Sequence, residues 1–163
     1  MSADNQQERL LKIGWIVGFV DGEGCFSVSV FRNHISKLDW QAFPEFAVTQ
    51  GKKSLKCLEL MKNYFDCGKI TVNKRNDNHK ENLYRFVVRR IDDLAKIIIP
   101  FFKNYPLKTA KNEDFKIFAQ IVSLMLAKEH FTFEGLTKIA RMASTMNRRS
   151  QSKFLTESSE TTR

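Results

Sequence analysis

The chain has 163 residues, 42% of them hydrophobic and 14 of them Phe, a composition that excludes a disordered chain and suits one domain with a sizeable core. Lys and Arg number 27 against 18 Asp and Glu, a formal charge of +9, which favours a polyanionic partner because cationic side chains gain by displacing counterions from phosphates. No apolar run reaches the length of a bilayer span, and MSADNQQERL has neither a basic start nor an apolar core, so no membrane partner and no secretory signal is expected and the chain reads as intracellular, with the cell body and an organelle both open.

Apolar residues at helical spacing, Leu10, Ile13, Val17 and Val20, predict a helix behind a polar lead-in. From Cys25 the period falls to two, with Phe26, Val28 and Val30 on one face and Ser27, Ser29 and Phe31 on the other, so a strand follows. Beyond the polar loop RNHISKLD a second strand is predicted around Phe43 to Thr49, where Phe46 and Val48 alternate with Glu45 and Ala47. Lys53 to Phe65 reads as a helix with Leu55, Leu58 and either Leu60 or Met61 inward, closed by Gly68. Ile70 and Val72 alternate with polar neighbours in a third strand, and after the loop NDNHKEN, Tyr84, Phe86 and Val88 do so in a fourth. Asp92 to Phe102 reads as a helix with an acidic start that runs into Pro100, and Asn112 to Met146 as Phe-rich helix. RRSQSKFLTESSETTR reads as a polar, frayed tail, so that 1–150 is the domain and 151–163 is disordered. Cys25, Cys57 and Cys67 are odd in number and lack metal-like spacing, which favours reduced thiols over a disulfide or a zinc site. His34, His79 and His130 share no spacing that suggests chemistry.

This order, helix, hairpin, helix, hairpin, helices, predicts an α+β fold, α-β-β-α-β-β-α, with a four-stranded antiparallel sheet that meets the helices on one face. The other face is expected to carry Ser27, Ser29, Asn33, Gln41, Lys69, Thr71, Asn73, Arg75, Arg85 and Arg89. An ordinary solvated face would mix acids with bases, whereas here bases and amides dominate and Glu45 is the exception. Arg and Lys suit guanine edges, Asn and Gln suit adenine, and a β-ribbon fits the major groove, so double-stranded DNA is the expected partner and no small-molecule substrate is expected, with a merely solvated basic face as the other reading of the same pattern.

The hinge between the first helix and strand places Asp21 and Glu23 at a helix C-terminus, where the macrodipole disfavours acids. Gly14, Gly18 and Gly22 recur every four residues on one stripe of that helix, although a glycine in a helix interior costs about 1 kcal/mol relative to alanine. Close approach of another backbone would offset that cost. No other segment carries a matching stripe, so the expected partner is the same helix of a second copy in a two-fold homodimer. Two such helix ends side by side would gather carbonyls and carboxylates, which suit a hard divalent cation.

IVGFVDGEG, Ile16 to Gly24, resembles the LAGLIDADG motif of the homing endonucleases, and one copy of the motif resembles the homodimeric members. VTQ at Val48 to Gln50 and YPLKTAKN at Tyr105 to Asn112 are also similar to family stretches. The resemblance implies a metal-binding role for Glu23 with the Gly22 carbonyl, and a structural one for Asp21. It further implies that Gln50 orients solvent near the scissile phosphate and that Lys108 stabilises charge there. A basic residue that the family places soon after Gln50 falls on Ser54, with Lys52 or Lys53 as substitutes that would hold phosphate. The expected cofactor is Mg2+, with Mn2+ or Ca2+ able to occupy the same oxygen ligands.

The implied activity is a metal-dependent endonuclease that hydrolyses phosphodiester bonds of both strands in a long, roughly palindromic DNA site, in the service of intron homing. A nucleic-acid-binding relative without cleavage, an RNA maturase or a transcription factor, is the alternative; loss of the acid at Glu23 would have favoured it. A basic membrane-surface protein is a third reading, without the amphipathic lysine-and-aromatic helix that it would need.

Overall fold

The computed structural model describes residues 3–73, 82–146 and 152–160. A long helix α1 (Ala3–Glu23) passes directly into strand β1 (Gly24–Arg32), and β2 (Trp40–Gly51) returns to a short helical turn at Lys52–Ser54 and helix α2 (Leu55–Phe65). Strands β3 (Lys69–Asn73) and β4 (Leu83–Val88) follow, then a helical run α3 (91–104), α4 (Lys111–Leu126), α5 (Phe133–Ser144) and α6 (Lys153–Glu160). The sheet has four strands in the order β1-β2-β4-β3, with β4 antiparallel to both of its neighbours. This is the α+β architecture expected from the alternation of periods.

Contacts divide the chain into two compact units, Met1–Cys25 with Phe46–Asn112 and Phe26–Glu45 with Glu113–Arg163. In the first, Ile13, Ile16 and Val20 form the buried stripe of α1. Leu10, expected inward, is 56% exposed: the helix starts at Ala3, about two turns earlier than its apolar spacing suggested, and its first half lies at the surface. The junction with β1 has no loop, and a Cβ on Gly24 would stand 2.6 Å from Val20 Cγ1 and 2.8 Å from the Val20 carbonyl oxygen, so only glycine fits there.

On α2, Leu58, Met61 and Phe65 are buried and Leu60 is 58% exposed. The left-handed residue that ends α2 is Asp66, at φ 49°, its N–H donating to the Lys62 carbonyl at 2.9 Å. Gly68, predicted as the closing residue, instead turns the chain into β3 at φ +72°, where a Cβ would lie 2.6 Å from the Val87 carbonyl oxygen. Phe46 packs edge-on against Phe65, Phe86 and Phe102, and Phe65 stacks on Phe86, so α2 and α3 cover the apolar sheet face. Pro100 does not end α3. A wider π turn over Leu94–Ile98 precedes it, relieving the crowding between a proline ring and the carbonyl four residues earlier. Pro44 is likewise tolerated inside β2, since pairing with β4 begins only at Phe46.

In the second unit Phe26 of β1 packs on Phe115 and Phe118 of α4. The expected frayed tail is corrected here: Lys153–Glu160 is helical, Phe154 is 2% exposed against Trp40 and Phe133, and Glu157 pairs with Arg32. A single phenylalanine in a polar stretch gives no periodicity to read, and its burial depends on aromatics more than twenty and more than a hundred residues away.

Candidate nucleic-acid interface and active centre

The end of α1 gathers a dense set of polar bonds. Asp21 accepts three hydrogen bonds from the loop before α4: Lys108 N–H at 2.7 Å, Thr109 N–H at 3.2 Å and the Thr109 hydroxyl at 2.7 Å. Burial pushes its carboxyl pKa up, but these donors and the charge of Lys111 outweigh that and hold it below the ordinary aspartate range. In return the Lys111 ammonium donates to the carbonyls of Val20 at 2.9 Å and Gly22 at 3.3 Å, the orphan acceptors of the helix end. The acid that looked misplaced against the macrodipole is thus compensated by donors supplied from 87 and 88 residues further along the chain, with the charge of Lys111 beside them.

Glu23 is exposed, one residue beyond the Gly22 carbonyl, as the last residue of α1. Gln50 stands near the end of β2 opposite Tyr84, half-buried. Lys52 and Lys53 are exposed on the turn that follows, and Ser54 closes it. Lys108 reaches this cluster through its backbone N–H, whereas the ammonium at the helix end belongs to Lys111. Thr109 bends the chain between the two lysines. Lys111 and Thr109 were missed by sequence reading although both lie within YPLKTAKN; the second lysine three residues after the first was the available signal.

The outward sheet face carries cross-strand rows. Thr49, Arg85 and Thr71 lie abreast on β2, β4 and β3, and Lys69 faces Val87 in the next row. Asn73 pairs with Leu83, and Arg75 lies outside the described residues. Ser27 and Ser29 alternate outward on β1 with the exposed Phe31, which meets Phe43 edge-on. Asn33 and Gln41 are brought together: Asn33 Nδ2 donates to Gln41 Oε1 at 2.7 Å, while Asn33 Oδ1 accepts from Ile35 N–H. Asn33 therefore serves the hairpin turn first. Arg89 lies past β4 in a cleft with Lys69, Arg90, Asp66, Asp93 and Cys67, whose thiol is pushed up to about 11 by burial with the nearby Asp93 and Asp66 carboxylates adding to it, and so stays protonated near neutrality.

Gly14, Gly18 and Gly22 face open space, since a Cβ on any of them meets nothing within 4 Å. Leu11, 67% exposed, and Trp15, 39% exposed, line an apolar groove with Leu60 and Tyr64 beside that stripe.

These features define an α+β protein built around a long helix that ends in a carboxylate and cation-binding carbonyls, beside a sheet with a basic, hydroxyl-bearing face. The sequence profile of the LAGLIDADG endonuclease family matches residues 16–122, and the chain belongs to that family. It is 40% identical over 138 residues to the probable intron-encoded endonuclease 2 of Neurospora crassa, covering 84% of this chain and 29% of that one. The crystal structure of a homing endonuclease, I-TnaI, superposes with a TM-score of 0.78 at 40% identity, covering 91% of this chain and 96% of that chain. The structure of I-SmaMI bound to uncleaved DNA target in the presence of calcium ions gives a TM-score of 0.78 at 35% identity over 87% of this chain and 47% of that chain.

Proposed function

We propose that the chain is a site-specific DNA homing endonuclease that acts as a homodimer with Mg2+ and hydrolyses phosphodiester bonds of both strands in a long, pseudo-palindromic target. The observation that carries this reading is the end of α1, where the Gly22 carbonyl already attracts a cation, the Lys111 ammonium, and the exposed Glu23 follows it directly. Carbonyl and carboxylate oxygens are the donors a hard divalent ion takes, and Mn2+ or Ca2+ would fit the same set. When bound, the ion supplies Lewis-acid stabilisation at the scissile phosphate and a more acidic water.

The chain's own residues would do the rest. Glu23 and the Gly22 carbonyl hold the ion, Gln50 orients solvent, and the Lys111 ammonium offsets charge building on the phosphate, the role that sequence reading gave to Lys108. Lys108, exposed on the same loop, is then free to approach the DNA backbone. Cutting two strands needs two such ends, and residues 1–163 bring one; the open glycine stripe with Leu11 and Trp15 beside it supports pairing of two α1 helices. The matched portion of I-SmaMI is 47% of its chain, about what one of two copies would supply. The setting is the interior of the cell, where duplex DNA is available, and the intron-encoded relative supports a role in intron homing.

Purified protein incubated with a randomised duplex library, with and without Mg2+, tests this by sequencing the ends. Recurrent, magnesium-dependent double-strand ends are expected, and Glu23→Gln should abolish them while duplex binding persists. Retained duplex without new ends would instead establish the binding-only alternative.

A further inference from the structure

We infer that Thr109 is the positioning residue for the Lys111 ammonium, its hydroxyl tying the Asp21 carboxylate to the backbone from which that lysine springs. A hydroxyl has one proton and two lone pairs. The Thr109 proton goes to Asp21 Oδ1 at 2.7 Å, and Thr109 Oγ1 accepts the Lys111 N–H at 3.3 Å, a local side-chain-to-backbone turn at the start of α4. From that anchored backbone the Lys111 side chain reaches back to the Val20 and Gly22 carbonyls at 2.9 and 3.3 Å, the residues on either side of Asp21. The contacts close a ring: carboxylate, hydroxyl, lysine N–H, lysine side chain, helix-end carbonyls, and the peptide back to the carboxylate.

The ring explains why Lys111 rather than Lys108 delivers its ammonium here. Lys108 is bonded to Asp21 through its peptide N–H, which leaves its side chain unconstrained by the ring, whereas the Thr109 hydroxyl fixes both the position and the direction of the Lys111 backbone. A lysine side chain is long and freely rotating, so the place of its charge depends on where its root is held. The consequence for catalysis rests on the endonuclease reading above; the placement of the ammonium does not.

Thr109→Val keeps the shape and removes both hydroxyl bonds, while Thr109→Ser keeps them. Two readouts are made. In lysine-ammonium NMR, with Lys111→Met assigning the signal, the wild-type protein should show a Lys111 resonance that Thr109→Val shifts or broadens away and Thr109→Ser retains. In single-turnover cleavage, Thr109→Val should slow the cut by about tenfold to a hundredfold, the scale of a misplacement near 1 Å, with DNA affinity unchanged and Thr109→Ser restoring the rate. An unchanged Lys111 signal in Thr109→Val overturns the proposal, as does a wild-type cleavage rate in that variant. Should wild-type protein make no cuts, the endonuclease reading falls and the ammonium signal alone decides the positioning role. Thr109→Ala gives both readouts if the valine variant does not fold.

Discussion

Lys111 Nζ lies 2.9 Å from the carbonyl oxygen of Val20, so the C-terminal end of α1 is capped by a cation from the first residue of α4, next to the loop that its own Asp21 anchors. A helix terminus leaves carbonyls that need donors, and here a side chain meets that need at the point where the family motif ends. The pairing makes the helix end and the loop 105–112 one electrostatic unit.

That unit should respond to acid. The Asp21 carboxyl sits below its ordinary range, so its contribution to stability is complete above about pH 4, the unfolded aspartate value, and is lost as pH falls through the depressed folded value. Asp21→Asn should lower stability by about 1 kcal/mol at pH 7, a modest figure because the site is open to solvent. The difference from wild type should shrink as the pH is taken below 4. Thermal melts of both proteins between pH 3 and 7 measure it, and parallel curves across that range would show that the carboxylate is not held in this way.

Gly18 is expected at the crossing of two α1 helices. Because a Cβ there meets nothing within 4 Å of its own chain, Gly18→Leu should leave the protomer folded, with a melt that no longer depends on protein concentration, while separating the proposed dimer. Sedimentation velocity distinguishes the species, and a leucine variant that still sediments as the wild-type dimer would remove the glycine stripe from the interface.

Much of the fold was legible because its signals are local. The drop from a period of 3.6 to 2 at Cys25, the alternation of Phe46 and Val48 with their neighbours, and the motif ending at Gly24 each lie within a few residues. What escaped depends on distant partners. Which of two lysines in YPLKTAKN reaches α1 is decided by the turn at Thr109, and whether Phe154 is buried is decided by Trp40 and Phe133. Phe154→Ala should therefore cost about 3 kcal/mol, as for other large-to-small changes at buried aromatics, and release α6. Urea unfolding gives the loss of stability directly. A variant as stable as wild type would mean that the C-terminal segment is frayed after all.

The sheet face separates reading from holding. Strand residues rise about 3.3 Å each, close to the roughly 3.4 Å between base pairs, so successive outward positions, two residues apart, step about two base pairs along a groove. Arg85, abreast of Thr49 and Thr71 on the paired strands, is expected to present its guanidinium to base edges. Arg85→Ala should cost about 1 to 3 kcal/mol of binding and relax preference at only a few positions, the same ones in both half-sites if the dimer is symmetric. Lys52 and Lys53, exposed past the end of β2, should hold phosphate instead, so replacing either by alanine should weaken all sequences alike and flatten the salt dependence. Binding to a half-site library at two salt concentrations decides between these behaviours: uniform weakening by Arg85→Ala would make the central row of the sheet a backbone clamp and move recognition to the β1–β2 hairpin, where Ser27, Ser29 and the Asn33–Gln41 pair lie.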